Sequence, residues 1–185
     1  MQASAQSVLD FWFSELTPEQ WFQGGEALDG TVRVRFGTLL EQAKRDELDD
    51  WAKTPSGRLA LIILLDQFSR HVFRGTREAF AADAKARALT LDGIAKGMDA
   101  ELPTPAQEIF FYMPLMHAED GNLQALCVEK VSALDDGDIA DGALRSACEH
   151  EDVIARFGRF PHRNKILGRV STPAEETFLK NNPGF

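Results

Sequence analysis

The hydrophobic positions of the chain follow helical spacing over most of its length. Between residues 30 and 45 they recur at intervals of four, three, one and three residues, which is the spacing of one helix face; they are Val32, Phe36, Leu39, Leu40 and Ala43. No run of alternating apolar and polar residues is long enough to predict a strand. The pattern therefore predicts an all-α fold, a compact antiparallel array of about nine helices without a sheet.

Threonine–proline pairs mark three of the predicted helix starts, at Thr17, Thr104 and Thr172. Threonine caps the first turn of a helix, and proline fits the first helical position because its missing N–H would be unpaired there anyway. A glutamine or glutamate three residues after each threonine completes a capping box. The three pairs are unevenly spaced along the chain, so they indicate local capping and not a structural repeat.

The rest of the chain is organised around residues 59–76, LALIILLDQFSRHVFRGT. This segment begins as the most apolar run in the sequence, which predicts a helix at the centre of the core. Asp66, Arg70 and Arg74 then recur every four residues and are predicted to share one face of that helix, with Gln67 beside it.

This polar stripe supplies four candidate ligand-binding residues, which are Asp66, Gln67, Arg70 and Arg74. Because the stripe starts inside the protein, its charges must be paired. One interpretation is a binding pocket with the stripe along one side. The alternative is structural: an ion pair between Asp66 and Arg70, with Arg74 at the negative end of the helix dipole.

A chain of 185 residues with 44% hydrophobic residues fits one globular domain. A domain of this length buries enough surface to fold without a metal or a disulfide. We expect a single helical domain at residues 1–180 and a loose tail at residues 181–185.

Three features predict a cytoplasmic protein. No apolar run approaches the ~20 residues that span a membrane. The N-terminus has neither a basic leader nor a cleavage site, so we expect no signal peptide. Cys127 and Cys148 stand alone in helical segments and are expected to be buried, reduced thiols.

The net charge of −9 is unevenly distributed along the chain. An acidic protein repels nucleic acid and anionic membranes, so neither is expected as a partner. Residues 153–174, however, contain five basic residues and no acidic one. This segment could hold one anion, so the expected partner is a small anionic molecule or an acidic peptide.

The best candidate for an anion site is RFGRFPHRN at residues 156–164. Its candidate ligands are Arg156, Arg159, His162 and Arg163. Arginines bind carboxylate or phosphate through two parallel hydrogen bonds, and stacking on Phe157 or Phe160 would hold them in place. The alternative is a rigid loop whose arginines bond helix carbonyls and neighbouring carboxylates.

Four polar residues are candidates for a metal site and for ligand binding: His117, Glu119, His150 and His162. Their types suit zinc or iron. The spacing is weak evidence, because H-x-E alone is common and neither the deaminase pattern nor H-E-x-x-H occurs. The alternative is that these histidines cap and hydrogen-bond helix ends. We therefore predict neither a metal nor a cofactor.

Other common catalytic signatures are missing from the sequence. There is no G-x-S-x-G motif, and the glycine pair at Gly24 and Gly25 fits no phosphate-binding loop. Cys148 and His150 lie two residues apart on a predicted helix, so their side chains point in different directions. The catalytic residues stay unassigned.

Four segments carry a resemblance to a known family: VLDFWF at 8–13, LDQFSRHVFRGT at 65–76, FYMPLMHAED at 111–120 and RFGRFPHRNKILGR at 156–169. Together they resemble the mainly bacterial domain-of-unknown-function family numbered 924, which is assigned to the tetratricopeptide-like helical superfamily. The similarity spans nearly the whole chain. It implies an all-helical, tetratricopeptide-like fold and no particular reaction.

Two functional hypotheses follow. In the first, the polar stripe, the arginine segment and His117 meet in one pocket that binds a small anion. If that pocket is catalytic, Asp66 or His117 would be the base and the arginines would hold the substrate. In the second, a concave helical surface binds a peptide or partner protein without catalysis, in a long exposed groove lined by these residues. The aromatic content and the lack of clear repeats favour the pocket.

Overall fold

The computed structural model describes residues 4–22, 24–134 and 137–182, and within these ranges the chain is helical without a strand. The α-helices are α1 (Ala5–Asp10), α2 (Pro18–Phe22), α3 (Glu26–Lys44), α4 (Pro55–Ile62), α5 (Ser69–Val72), α6 (Asp83–Ala95), α7 (Pro105–Met116), α8 (Gly121–Ser132), α9 (Asp138–Phe157), α10 (Asn164–Leu167) and α11 (Pro173–Asn181). Since α4 and α5 belong to one continuous helix, the described ranges hold ten helices. The predicted all-α fold of about nine helices is confirmed.

The central helix spans residues 55–72 and is the innermost element of the fold. It consists of α4, a π-helical stretch at Ile63–Phe68 and α5. Thr54 caps its start, because the threonine hydroxyl accepts a hydrogen bond from the backbone N–H of Gly57. Residues 59–65 are fully buried, and α1, α3, α6 and α7 pack around them. The apolar run therefore lies at the centre of the core, as its sequence predicts.

Helices α7, α8 and α9 follow one another along the chain and pack against each other through short connections. α7 is apolar on every face, and each residue from 109 to 116 is buried. Its start is capped by Thr104, whose hydroxyl accepts from the backbone N–H of Gln107. His117 follows directly at the end of this helix, so its position is fixed by the core.

The C-terminal segment, residues 158–182, has a small hydrophobic cluster of its own. Gly158 ends α9 in the left-handed conformation, with a φ of 68°, which glycine adopts without strain. The chain then forms a 3₁₀ turn at Pro161–Arg163, α10 and α11. The cluster joins the end of α9 to this segment through Val153, Ile154, Phe157, Phe160, Phe178 and Leu179.

The capping chemistry is largely as predicted. Thr172 and Glu175 form a reciprocal capping box at α11. At α2 the backbone N–H of Thr17 donates to Gln20 Oε1 at 2.8 Å, which is one half of the expected pair. Other boundaries differ from the sequence pattern: α3 begins at Glu26, before its apolar stripe, and the segment after residue 76 is a 3₁₀ helix at Arg77–Phe80.

The expectations for the two cysteines and for the C-terminal tail are confirmed only in part. Cys127 is buried as expected, but Cys148 is exposed, because it lies on the solvent-facing side of α9. Of the predicted loose tail at 181–185, Asn181 is the last residue of α11, and residues 183–185 lie outside the described ranges. Within the described ranges, no helix is both long and apolar enough to cross a membrane.

Two glycines in helix interiors should respond oppositely to alanine. A Cβ at Gly93 of α6 would collide with the Phe111 ring and the Arg58 side chain, whereas a Cβ at Gly37 of α3 would meet no atom within 4 Å. We expect Gly93→Ala to lower the free energy of unfolding by about 1–3 kcal/mol through overpacking. Gly37→Ala should raise it by about 0.5–1 kcal/mol, because alanine favours a helix interior.

Urea denaturation of both variants beside the wild type measures this difference. A Gly93→Ala protein as stable as the wild type would show that α6 and α7 do not pack as closely as described here.

Candidate functional site

A pocket of about 330 Å³ lies where the end of the central helix meets α7, α9 and the C-terminal segment. Its lining residues are Arg70, Arg74, Gly75, Ala79, Phe80, His117, His150, His162, Arg163 and Ile166. Three arginines and three histidines of the set predicted from sequence are therefore brought together here. Among the described residues, none that lines the pocket carries a carboxylate.

Asp66 anchors one side of the pocket from within the core. It is 1% exposed, and three side chains contact its carboxylate. His117 Nδ1 lies 2.8 and 2.9 Å from the two oxygens, Arg70 Nη1 lies at 3.1 Å and Gln67 Nε2 donates at 2.6 Å. Burial alone would raise the pKa of Asp66, but the charge of Arg70 and the hydrogen bonds from His117 and Gln67 hold it well below its usual range. The carboxylate is therefore ionised.

This contact decides which ring nitrogen of His117 carries the proton. An ionised carboxylate only accepts hydrogen bonds, so Nδ1 of His117 donates to Asp66. Burial lowers the pKa of His117, and Arg70 adds to the effect while Asp66 opposes it. The ring is therefore neutral near pH 7, with its lone pair on Nε2, and no described residue hydrogen-bonds to that nitrogen. A histidine held in this way can act as a base or a nucleophile.

Asp83, at the start of α6, is a second carboxylate behind the pocket and is half-buried. It binds Arg70 through two contacts of 3.1 and 3.2 Å and lies 3.7 Å from Arg163 Nη1. Asp83 is the first residue of α6, after Ala82 at the N-cap position, and its carboxylate binds arginine. Burial raises its pKa, which the charge of Arg70 only partly offsets.

Arg163 is the least satisfied of the three arginines. It is 7% exposed, and its guanidinium lies 4.5 Å from the Phe160 ring and 4.8 Å from the Phe80 ring. Its Nε is buried and has no hydrogen-bond partner in the described part of the chain, and its contact with Asp83 is longer than a hydrogen bond. Burial, together with the charge of Arg70, lowers its pKa to about 10, so the group stays charged near pH 7.

His150 of α9 and His162 of the 3₁₀ turn complete the lining. Nδ1 of His150 lies 2.7 Å from the carbonyl oxygen of Ser146, one turn earlier. Both rings pack on the buried Phe160 ring, at centroid distances of 5.5 and 5.6 Å. Burial lowers the pKa of His150 to about 3, and burial with the charge of Arg163 lowers that of His162 to about 4. Both rings are therefore neutral near pH 7.

Arg74 does not continue the stripe of Asp66 and Arg70. The central helix ends at Val72, after its π-helical stretch, so residue 74 lies beyond the helix and the spacing of four no longer aligns it with them. Its guanidinium lies at the pocket edge and binds Asp29 of α3, with Nη2 at 2.8 Å from the carboxylate. Asp29 also contacts Nδ1 of His71 at 2.7 Å.

Besides Asp66 and Gln67, which are buried behind the pocket, three predicted residues lie outside its lining. Glu119 binds the C-terminal segment to the core, because it accepts from the backbone N–H of Phe160 at 2.8 Å and pairs with Arg169 at 2.6 Å. Arg159 pairs with the buried Glu175. Arg159 and Arg169 thus bind neighbouring carboxylates, as the structural alternative for the arginine segment predicts.

Arg156 is the third and is exposed on α9. Its guanidinium lies over the rings of Phe157 and Phe178, at 4.9 and 5.4 Å. The predicted stacking of arginine on phenylalanine is thus present twice, for Arg156 on Phe157 and for Arg163 on Phe160, but only the second is in the pocket.

Sequence reasoning missed Asp29, Phe80 and Asp83 as residues of the site. Asp83 stands in an alanine-rich stretch, AFAADAKA, and a lone carboxylate among small apolar residues is a signal for a buried ion pair. Asp29 and Phe80 carry no comparable signal, because their contacts join residues that are distant in the sequence.

The arginines of the pocket therefore present hydrogen-bond donors and positive charge to a ligand, and the carboxylates that hold them lie outside the lining. This arrangement suits an acceptor-rich group such as a phosphate or a carboxylate. In the described part of the chain, no group of three or more His, Cys, Asp and Glu side chains is arranged to hold a metal ion.

The chain belongs to the bacterial family of unknown function DUF924, whose profile matches residues 8–183. The family predicted from the four sequence segments is thus confirmed, while its tetratricopeptide-like assignment stays a prediction. Among solved structures, a protein of unknown function from Agrobacterium tumefaciens is 38% identical with a TM-score of 0.88, over 96% of this chain and 97% of that chain. No curated protein matches the chain.

The buried histidines should make the fold sensitive to mild acid. All four histidines of the chain have pKa values below the ordinary 6.5, burial being the main cause. The unfolded chain therefore binds more protons than the folded chain between about pH 6.5 and pH 5, and the free energy of unfolding falls as the pH falls through this window. Each histidine contributes at most about 1.4 kcal/mol per pH unit.

Urea denaturation at pH 7, 6 and 5 measures the slope. The charged groups that face the pocket histidines are Asp66, Asp83, Glu119, Arg70 and Arg163. The pKa values of Asp66 and Glu119 are lowered by their partners, whereas burial raises that of Asp83. The double variant His150→Gln, His162→Gln should flatten the slope. An equal slope in the variant and the wild type would contradict buried, neutral histidines.

Proposed function

We propose that the protein binds a small anionic molecule in this pocket through its phosphate or carboxylate group. The observation that carries the proposal is the guanidinium of Arg163, which is buried and charged and has no hydrogen-bonded acceptor among the described residues. A buried cation in this state is costly, and an anion in the pocket would compensate it.

The other two pocket arginines have close carboxylate partners of their own. Arg70 is held by Asp66 and Asp83, and Arg74 is held by Asp29. Asp83 is shared, since it lies nearer to Arg70 than to Arg163. Among the described residues, the only carboxylate contact of Arg163 is therefore the long one to Asp83, at 3.7 Å, and its guanidinium lies in the pocket with three neutral histidines.

The dimensions of the pocket support a small ligand. A volume of about 330 Å³ is at the lower end of the range for small-molecule sites. Phe80, Ala79 and Ile166 supply an apolar part of the lining, which suits a short carbon skeleton attached to the anionic group. An acidic peptide would need the long exposed groove of the alternative hypothesis. We also place the protein in the cytoplasm, in keeping with two cysteines that are not in disulfides.

Sulfate and inorganic phosphate are the probes for this proposal, measured by isothermal titration calorimetry at constant ionic strength. Sulfate keeps its charge across the pH range in which histidines titrate, so its binding reports on the protein alone. We expect one sulfate per chain and a loss of about ten- to a hundredfold in affinity for Arg163→Gln, because a charge-assisted hydrogen bond contributes about 1.5–3 kcal/mol.

Arg156→Gln is the matched control, since it removes the same charge from an exposed arginine outside the pocket. It should bind sulfate like the wild type. Equal loss of sulfate affinity in both variants would show that the loss comes from the change in net charge alone and would contradict the proposed site. Saturable sulfate binding that survives Arg163→Gln would also contradict it.

A further inference from the structure

We propose that the pocket is the active site of a phosphomonoester hydrolase in which Nε2 of His117 is the nucleophile. This inference rests on the proposed anion-binding function, which would bring the phosphoryl group beside this histidine. It goes further by assigning a covalent step to one named atom.

The pair formed by Asp66 and His117 supports the assignment. Asp66 is buried and holds Nδ1 of His117 through contacts of 2.8 and 2.9 Å, so the ring has one orientation and one tautomer. The other nitrogen, Nε2, belongs to a residue that lines the pocket. A fixed ring with a free lone pair has the features that nucleophilic catalysis by histidine requires.

The carboxylate of Asp66 also stabilises the phosphohistidine intermediate. When Nε2 forms a bond to phosphorus while Nδ1 keeps its proton, the imidazole ring becomes cationic. Asp66 lies within hydrogen-bond distance of that proton and stabilises the new charge. Asp66 is thus a positioning residue, and His117 is the catalytic residue.

Arg70 and Arg163 supply the positive charge that phosphoryl transfer needs. Both line the pocket with His117, and Asp83 holds Arg70 through two contacts. The rings of Phe80 and Phe160 restrict the guanidinium of Arg163. Arginines that are held before the ligand arrives stabilise charge on the phosphoryl oxygens without reorganisation.

The reaction balances without a further reactant besides water. In the first step the Nε2 lone pair of His117 forms a P–N bond and the P–O bond to the leaving group breaks, which releases an alkoxide or phenolate. In the second step the oxygen of a water molecule bonds to phosphorus, the P–N bond breaks, and its electron pair returns to Nε2. The products are hydrogen phosphate and the alcohol or phenolate. One proton of the water molecule stays on the phosphate, and the other protonates the alkoxide or, where a phenolate leaves, is released to solvent.

The test uses p-nitrophenyl phosphate, whose leaving group departs as a phenolate and needs no proton donor. Release of p-nitrophenolate is followed by absorbance, and the reaction is quenched in alkali, where phosphohistidine survives. Mass spectrometry of the whole chain and its peptides then shows whether one HPO₃ group is attached to His117. Calorimetry with sulfate is run on the same preparations.

His117→Asn is the key variant, because its amide keeps a donor for Asp66 but has no atom in place of Nε2. It should abolish the adduct and slow p-nitrophenolate release at least ~100-fold. His71→Asn is the matched control, since His71 also binds a carboxylate through Nδ1 but does not line the pocket. It should leave both readouts unchanged.

The outcomes separate this inference from the proposed function. An adduct on His117 that His117→Asn removes supports both. Sulfate binding without hydrolysis or adduct, or hydrolysis that His117→Asn leaves intact, overturns the nucleophile and leaves the anion site standing. No sulfate binding and no hydrolysis overturn both proposals.

Discussion

The structure depends on one ionised carboxylate at the centre of an apolar core. Asp66 follows directly on the fully buried run of the central helix, where an unpaired charge is costly. Its hydrogen-bond donors are His117, at the end of α7, and Gln67 and Arg70 of the central helix. Satisfying Asp66 therefore fixes the orientation of the side chains that line one side of the pocket. The contacts that pair the buried charge of Asp66 are thus the same contacts that orient these pocket side chains.

The C-terminal segment supplies the opposite side of the pocket. Glu119, two residues after His117, binds both the backbone of Phe160 and the side chain of Arg169, so the core and this segment are joined beside the pocket. Phe160 is fully buried, and His162 and Arg163 follow it after Pro161. The pocket thus lies between two hydrophobic clusters that are each packed, which explains how a charged side chain such as Arg163 can stay buried.

Local sequence signals predicted the helices well because capping and periodicity act over a few residues. The Thr–Pro starts and the apolar run at 59–65 need no distant partner, and the ion pair between Asp66 and Arg70 lies within one turn. The four-residue spacing did not predict the position of Arg74. The π-helical stretch changes the number of residues per turn, and the helix ends at Val72, before Arg74. Asp29 and Asp83 gain their roles only when α3 and α6 pack beside the central helix.

The most direct test of this central interaction is a ¹⁵N NMR spectrum of the histidine side chains near pH 7, without and with saturating sulfate. We expect His117 to be neutral with its proton on Nδ1, as the buried contact with Asp66 requires. Sulfate should shift the resonances of His117, His150 and His162 and leave His71 unchanged. A charged His117, a proton on Nε2, or pocket histidines whose resonances do not shift with sulfate would contradict this account, in which the buried carboxylate of Asp66 orients a histidine of an anion-binding pocket.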